Sequence, residues 1–212
     1  MTVPDLNSLL AEAGSAALDA EQLQSFASYM ALLMRWNART NLTAIRDEAG
    51  IQRRHFLESI LVARALPVGI TRLLDFGSGA GFPGIPIALC RPEIAVTLAE
   101  SQNKKAAFLR EAVRTLGIAT QVHADRAEQL PPDFDCVAMR AVDKMEAALP
   151  AAVRLVKPQG WVVVMSTEGE QSALRALADQ EMRHISWLRA LSLAKGTQQV
   201  LLLGQVFARS SL

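Results

Sequence analysis

Cysteine is scarce in this chain, with two in 212 residues. Cys90 and Cys136 lie far apart in apolar stretches, and neither has metal-ligand spacing. Core packing in a reducing compartment is the expected role of both, and no metal site is expected. Net charge is nearly absent as well, since 22 Lys and Arg stand against 21 Asp and Glu. A global nucleic-acid signature is thereby excluded, and any polyanionic partner has to be met by a local basic patch. The opening Met-Thr-Val-Pro-Asp lacks a basic leader region, and no apolar run approaches membrane-spanning length. A soluble, cytoplasmic protein without a membrane partner is expected. Internal repeats and low-complexity segments are missing too. So is any obvious nucleophile or acid/base pair.

What is present is a large apolar fraction, half of all residues, enough for a sizeable core. The chain is organised around Leu73–Pro86, where a short apolar strand ends in Asp75 and glycines follow at 77, 79 and 81. Such glycines suit a turn that brings backbone close to a ligand. Gly79-Ala80-Gly81-Phe82-Pro83-Gly84 matches the dinucleotide pattern G-x-G-x-x-G. A pyrophosphate, however, needs free N–H groups at the helix start, and Pro83 and Pro86 each remove one. Asp75 would add a carboxylate close to it. Both features suit a ligand bearing positive charge, such as S-adenosylmethionine. A second strand, Ile94–Ala99, ends in Glu100, 25 positions after Asp75. A carboxylate there can accept hydrogen bonds from both ribose hydroxyls of an adenosine.

Residues 1–66 read as a helical extension and 67–212 as the ligand-binding domain. Asp19-Ala20-Glu21-Gln22 is a capping box, followed by Leu23, Phe26, Ala27, Met30, Leu33 and Met34 at helical spacing. A further helix is expected from Asp47 to Ala65, stopped by Pro67. On it His55 is expected to be a hydrogen-bonded structural histidine, with Glu58 and Ser59 one turn on. From Thr71 strands and helices alternate, which predicts a parallel, doubly wound sheet. A helix is expected over 102–116 with Ser101 as cap and Gly117 past its end. Strands are expected at 120–123, 134–139 and 161–165, a helix at 144–156 and a turn at 157–160. A helix over 171–183 and strands at 185–191 and 200–208 complete the chain. Asp75, Glu100, Ala127-Glu128 and Arg140 all fall at strand carboxyl ends, where ligands of such sheets bind.

The series Trp36-Asn37, Asn41-Leu42-Thr43, Arg54-His55, Ser59 and Pro83-Gly84-Ile85-Pro86 resembles a known family, the bacterial 16S ribosomal RNA guanine-N7 methyltransferases, or glucose-inhibited division protein B. Glu100-Ser101, Lys104, Phe108-Leu109, Arg126-Ala127-Glu128 and Arg140-Ala141 extend the match over about residues 6–165. The resemblance implies a class I S-adenosylmethionine-dependent methyltransferase: a Rossmann-like, seven-stranded, mostly parallel sheet ending in a hairpin, behind an N-terminal helical extension. It places cofactor contacts on Gly77, Phe82, Ala127, Glu128 and Arg140, with Glu100 at the ribose and the adenine stacked near Phe82 and hydrogen-bonded around Ala127-Glu128. It implies 16S rRNA or a small-subunit precursor as partner and a monomer as the working form. Lys104, Arg126 and Arg140 lie around the implied pocket. The chain departs from the family pattern at Glu168-Gly169, where Lys-Gly is usual, and at Gln198-Gln199, near a usual Arg.

Guanine N7 carries a free lone pair, so its methylation needs alignment rather than a general base. The sequence has no Asn/Asp-Pro-Pro-aromatic turn after Met139, as amino methyltransferases would require, and Cys136 sits in a buried strand. Arg140 is a candidate for positioning the substrate; a salt bridge to Glu128 or Asp125 is the other reading, and the sequence leaves both open. RNA-binding candidates are Arg54, Lys104, Lys105 and Arg126. Around them lie Arg35, Arg39, Arg46 and Arg53 on the extension and Arg110 and Arg114 on the helix that carries Lys104. Two other functions remain open at this point. One is a methyltransferase of the same fold with another acceptor; the other is a dinucleotide-binding oxidoreductase or nucleotide sensor.

Overall fold

The computed structural model describes residues 5–142, 144–179, 183–193 and 197–208. Helix α1 (Leu6–Glu12) is capped by Asp5, whose carboxylate accepts the Ser8 N–H at 2.8 Å. Helix α2 (Ala20–Thr40) opens on the expected capping box: Asp19 and Gln22 each accept the other's N–H. It closes at Asn41 with φ of 48°, a conformation that the short polar side chain tolerates. The segment after Asp47 is irregular, unlike the single helix expected. Helix α3 (Glu48–Ile51) passes into a π-helical turn (Gln52–Leu57) and only then into α4 (Glu58–Ala65).

The expected alternation follows. It runs β1 (Arg72–Phe76), α5 (Gly84–Cys90), β2 (Ala95–Ala99), α6 (Asn103–Leu116), β3 (Gln121–His123), β4 (Phe134–Arg140), α7 (Met145–Leu155) and β5 (Val156–Thr167). Gly117, with φ of 63°, ends α6 as read from sequence. Ser101 does not cap that helix. The Glu100 carboxylate accepts the Gln102 N–H at 2.7 Å instead, so it takes the donor nearest the helix start. The turn expected at 157–160 lies inside β5, where Gln159 adopts φ of 66° and the register with β4 shifts. Helix α8 (Gln171–Asp179) is followed by β6 (Arg183–Trp187), the two-residue β7 (Leu191–Ser192) and β8 (Gln199–Ala208). Of the helix expected over 171–183, residues 171–179 are helical, 180–182 lie outside the described residues, and Arg183 belongs to β6.

The strand order is β3-β2-β1-β4-β5-β8-β6, with β7 pairing on β8. The first five strands are parallel; β8 runs antiparallel between β5 and β6. This is the mostly parallel sheet with a closing hairpin, and β7 is an addition to the seven-strand path. Leu73 and Leu74 point to opposite faces, as alternation along a strand requires. Leu73 joins a core made with the helical extension, α5 and α6, and Leu74 one made with α7 and α8. The chain turns from β1 to β2 on one side and reaches β4 on the other. That topological switch leaves a crevice above β1 and β4.

Candidate active site

A cleft of about 530 Å³ opens at the carboxyl ends of β1, β2 and β4. Its floor is the turn after β1, where Gly77, Gly79 and Gly81 have φ of 72°, 56° and 91°. The positive angles explain the glycines, because a Cβ is strained there. At Gly81 space decides as well: an added Cβ would lie 2.7 Å from the Tyr29 hydroxyl. That hydroxyl, brought in by α2, donates to the Ala80 carbonyl and pins the turn from below.

Two carboxylates expected at the ligand have separate fates. Glu100 lines the cleft, and its orientation is fixed by main-chain donors: Oε2 accepts the Gly79 N–H at 2.9 Å and Oε1 the Gln102 N–H. Asp75 is fully buried and does not reach the cleft wall. Its Oδ2 accepts the Gly84 N–H at 3.0 Å, holding the start of α5, while Oδ1 has no partner among the described residues. Burial pushes this carboxyl up to about 7, against the lowering effect of the hydrogen bond it accepts from Gly84.

Of the other predicted cofactor residues, Gly77, Gly79, Phe82, Ala127, Glu128 and Arg140 line the cleft, whereas Gly81 does not. Among the basic candidates Lys105 and Arg126 line it, and Lys104 and Arg54 lie outside its wall. Phe82 is buried within an aromatic cluster with Tyr29 and Phe56, and His55 stacks on it at 4.6 Å between ring centroids. The His55 Nε2 lies 2.7 Å from the Thr43 hydroxyl, and both side chains face the cleft. Burial, helped by the nearby Arg140 charge, pushes this imidazole down to about 3, so it is neutral at physiological pH. The structural histidine expected from sequence is thus hydrogen-bonded as foreseen and also forms part of the wall.

Arg140 differs from both partners expected for it. Its ion pair is with Glu58, Nη2 to Oε2 at 2.9 Å, and the same nitrogen donates to the Arg54 carbonyl. Glu58 also faces the Arg54 Nε at 3.2 Å. Glu128 and Asp125 sit across the cleft lining, so the nearer buried carboxylate takes the guanidinium. Burial raises the Glu58 carboxyl above its ordinary value, opposed by Arg140 and Arg54. Sequence reasoning placed Glu58 beside His55 but missed Arg140, which arrives from 82 positions away. It also left out Leu42, Thr43 and Lys144, which complete the wall.

The basic surface is smaller than expected, because Arg35 pairs with Glu111 and Arg53 with Glu12, whereas Arg46 is tied to the Asn41 amide and keeps its charge. Lys104, Lys105, Arg110, Arg114 and Arg126 form no ion pair among the described residues, but only Lys105 and Arg126 reach the cleft. The thiols are no nucleophiles: burial pushes Cys90 up to about 11 and Cys136 further. No group of three or more potential metal ligands exists among the described residues.

Comparison with known proteins adds three findings. The GidB family model, described as rRNA small subunit methyltransferase G, matches residues 22–201. Ribosomal RNA small subunit methyltransferase G of Halorhodospira halophila is 42% identical over 164 residues, covering 76% of this chain and 78% of that protein. The protein of the same name from Xanthomonas campestris pv. campestris is 37% identical over 178 residues, 82% of this chain and 83% of its own. Among solved structures, P. horikoshii TYW2 in complex with MeSAdo superposes with a TM-score of 0.60 at 17% identity, over 72% of this chain and 62% of that one. P. horikoshii Trm1 with S-adenosyl-L-methionine gives 0.60 at 16% identity, over 73% and 55%. At such identities the likeness concerns the fold.

Proposed function

Since the chain belongs to the GidB family of rRNA small subunit methyltransferases, we propose that it transfers a methyl group from S-adenosylmethionine to N7 of a guanine in 16S rRNA. The dinucleotide alternative falls with that membership. The observation that carries the reading is Glu100, a cleft-lining carboxylate with each oxygen already aimed by a main-chain N–H. Each oxygen keeps a second lone pair for a ribose hydroxyl.

The residues present fit the methyl donor. A glycine floor lets backbone approach it, and Cβ atoms would encroach there: one on Gly77 would lie 3.2 Å from Val142. Arg140 offers a buried Nη1 with no partner among the described residues, suited to an anionic end. Ala127 and Glu128 lie at the side of the cleft where the adenine is assigned. When bound, S-adenosylmethionine supplies an electrophilic methyl group on a sulfonium sulfur. The chain's own residues then have three tasks: to orient the donor, to admit the guanine with N7 in line, and to keep water out. None of these moves a proton, and a His55 imidazole that takes up its proton only near pH 3, with buried thiols, agrees with chemistry that needs no base. Lys105 and Arg126 at the rim are assigned to RNA phosphates. The protein is assigned to act as a monomer on 16S rRNA or a small-subunit precursor in the cytoplasm. No helix among the described residues is long and apolar enough to cross a membrane.

A second acceptor is favoured by one observation. The two departures from the family pattern adjoin, with the Glu168 N–H donating to the Gln198 carbonyl at 2.8 Å. An acidic and a neutral residue therefore share the end of the β5–β8 strand pair where β5 finishes. Labelled methyl transfer to 16S rRNA and small subunits from a strain lacking the gene decides between the readings. Borohydride and aniline then cleave the RNA at 7-methylguanine. Label in the RNA with a single cleavage site is expected. Label confined to protein or small molecules overturns the rRNA reading, and labelled RNA that resists cleavage overturns N7.

A further inference from the structure

Among the described residues of the helical extension, Glu58 is the only charged side chain that is buried, at 1% exposure. It does not line the cleft. A carboxylate withdrawn from water to this degree needs a cation and hydrogen bonds to remain there. Arg140 supplies them from the end of β4, which is also the wall of the cleft. The π-helical turn before Glu58 makes the encounter more specific. There the Glu58 N–H donates to the His55 carbonyl, while the Arg54 carbonyl accepts Arg140 Nη2. One guanidinium nitrogen is thus held by two acceptors from the extension. The other, Nη1, is buried and has no partner among the described residues. A buried donor left without an acceptor is rare in native proteins and marks a place where a ligand atom belongs.

We propose that Glu58 is the positioning residue for Arg140, anchoring Nη2 so that Nη1 receives the carboxylate at the amino-acid end of the methyl donor. The inference rests on S-adenosylmethionine being the ligand of this cleft. It gives the helical extension a part in cofactor recognition although Glu58 touches no ligand. A guanidinium is planar with its donors in a fixed fork, so fixing one nitrogen fixes the direction of the other. Without the anchor the side chain regains rotamer freedom, and the contact to the ligand carries that ordering cost.

Calorimetry on the full chain compares two ligands, S-adenosylhomocysteine and 5′-methylthioadenosine, which share the thio-nucleoside, the second lacking the amino-acid portion and with it the carboxylate. Glu58→Gln is expected to weaken the first by about tenfold, the range of a hydrogen bond to a charged group. The second should change by less than about twofold. Glu58→Asp, which keeps the charge on a shorter stem, is expected to recover part of the loss, and it replaces the Gln variant in the comparison if that one does not fold. Equal weakening of both ligands, or no weakening of either, overturns the proposal. A second readout needs no ligand: the Arg140 Nε–Hε resonance of the free protein should move to the position of exposed arginines in Glu58→Gln. If the unaltered protein binds neither nucleoside, the cofactor reading fails. The resonance then judges Glu58 separately, and an unmoved signal overturns its role.

Discussion

Burial lifts the Asp75 carboxyl from its ordinary 3.8 to about 7, so over that interval the native chain holds a proton that the unfolded chain has released. The stability this confers is present at low pH and is lost as pH rises from about 4 to 7. His55 acts with the opposite sign. Its folded value of about 3 lies below the ordinary 6.5, so stability is lost as pH falls from about 6.5 to 3. Each slope is bounded by about 1.4 kcal/mol per pH unit, and between pH 4 and 6.5 they oppose one another. Asp75→Asn keeps an acceptor for Gly84 and removes the titration. Its unfolding free energy relative to the parent chain should therefore grow from about pH 4 to 7 and level off above, a trend read from urea titrations at several pH values. A difference that stays flat across this range would show that Asp75 is ionised throughout. Both carboxylates at strand ends were legible in the sequence. Which one faces the ligand was not, because the Gly84 amide that captures Asp75 is placed by the fold of the turn.

At the scale of elements, α2 supports the ligand turn through one hydroxyl. Tyr29→Phe keeps the ring packed on Phe56 and Phe82 and leaves the Ala80 carbonyl without that donor. A stability loss of about 1 kcal/mol is expected by chemical denaturation, and no measurable loss would mean the bond contributes nothing. The start of α2 was fully legible, since a capping box is local: its donors and acceptors lie three residues apart. The π-helical turn at Gln52–Leu57 was not. Its residues suit an α-helix equally well, and the extra residue in the turn is stabilised by partners remote in sequence, Arg140 among them. The cap expected from Ser101 failed because the helix starts one residue later, with Gln102 at the cap position and its N–H held by the Glu100 carboxylate.

At the scale of the whole molecule, the extension and the sheet share one core. Phe26, Tyr29, Leu33, Phe56, Ile60 and Val62 are all within 2% exposure and join the cluster that holds Ile85, Leu98 and Phe108. Burying six such side chains is worth roughly 9–18 kcal/mol, as large as the roughly 5–15 kcal/mol net stability of a typical domain. Residues 67–212 alone are therefore expected to lack a cooperative thermal transition by circular dichroism, and the full chain to unfold in one step. A cooperative melt of the fragment would show that its core closes without the extension. Sharing a core also explains how Glu58 can act on a cleft that it does not line.

The sequence by itself determined the α/β alternation, the glycine turn and the carboxylates at the ends of the first two strands. Each is written in local spacing or residue chemistry, which the chain carries whether folded or not. Only the tertiary structure decided that Asp75 turns away from the ligand, that His55 and Thr43 build its wall, and that Arg140 answers to Glu58. Those outcomes depend on burial and on contacts between segments far apart in the chain. Desolvation and proximity exist only once the two halves have closed on one another.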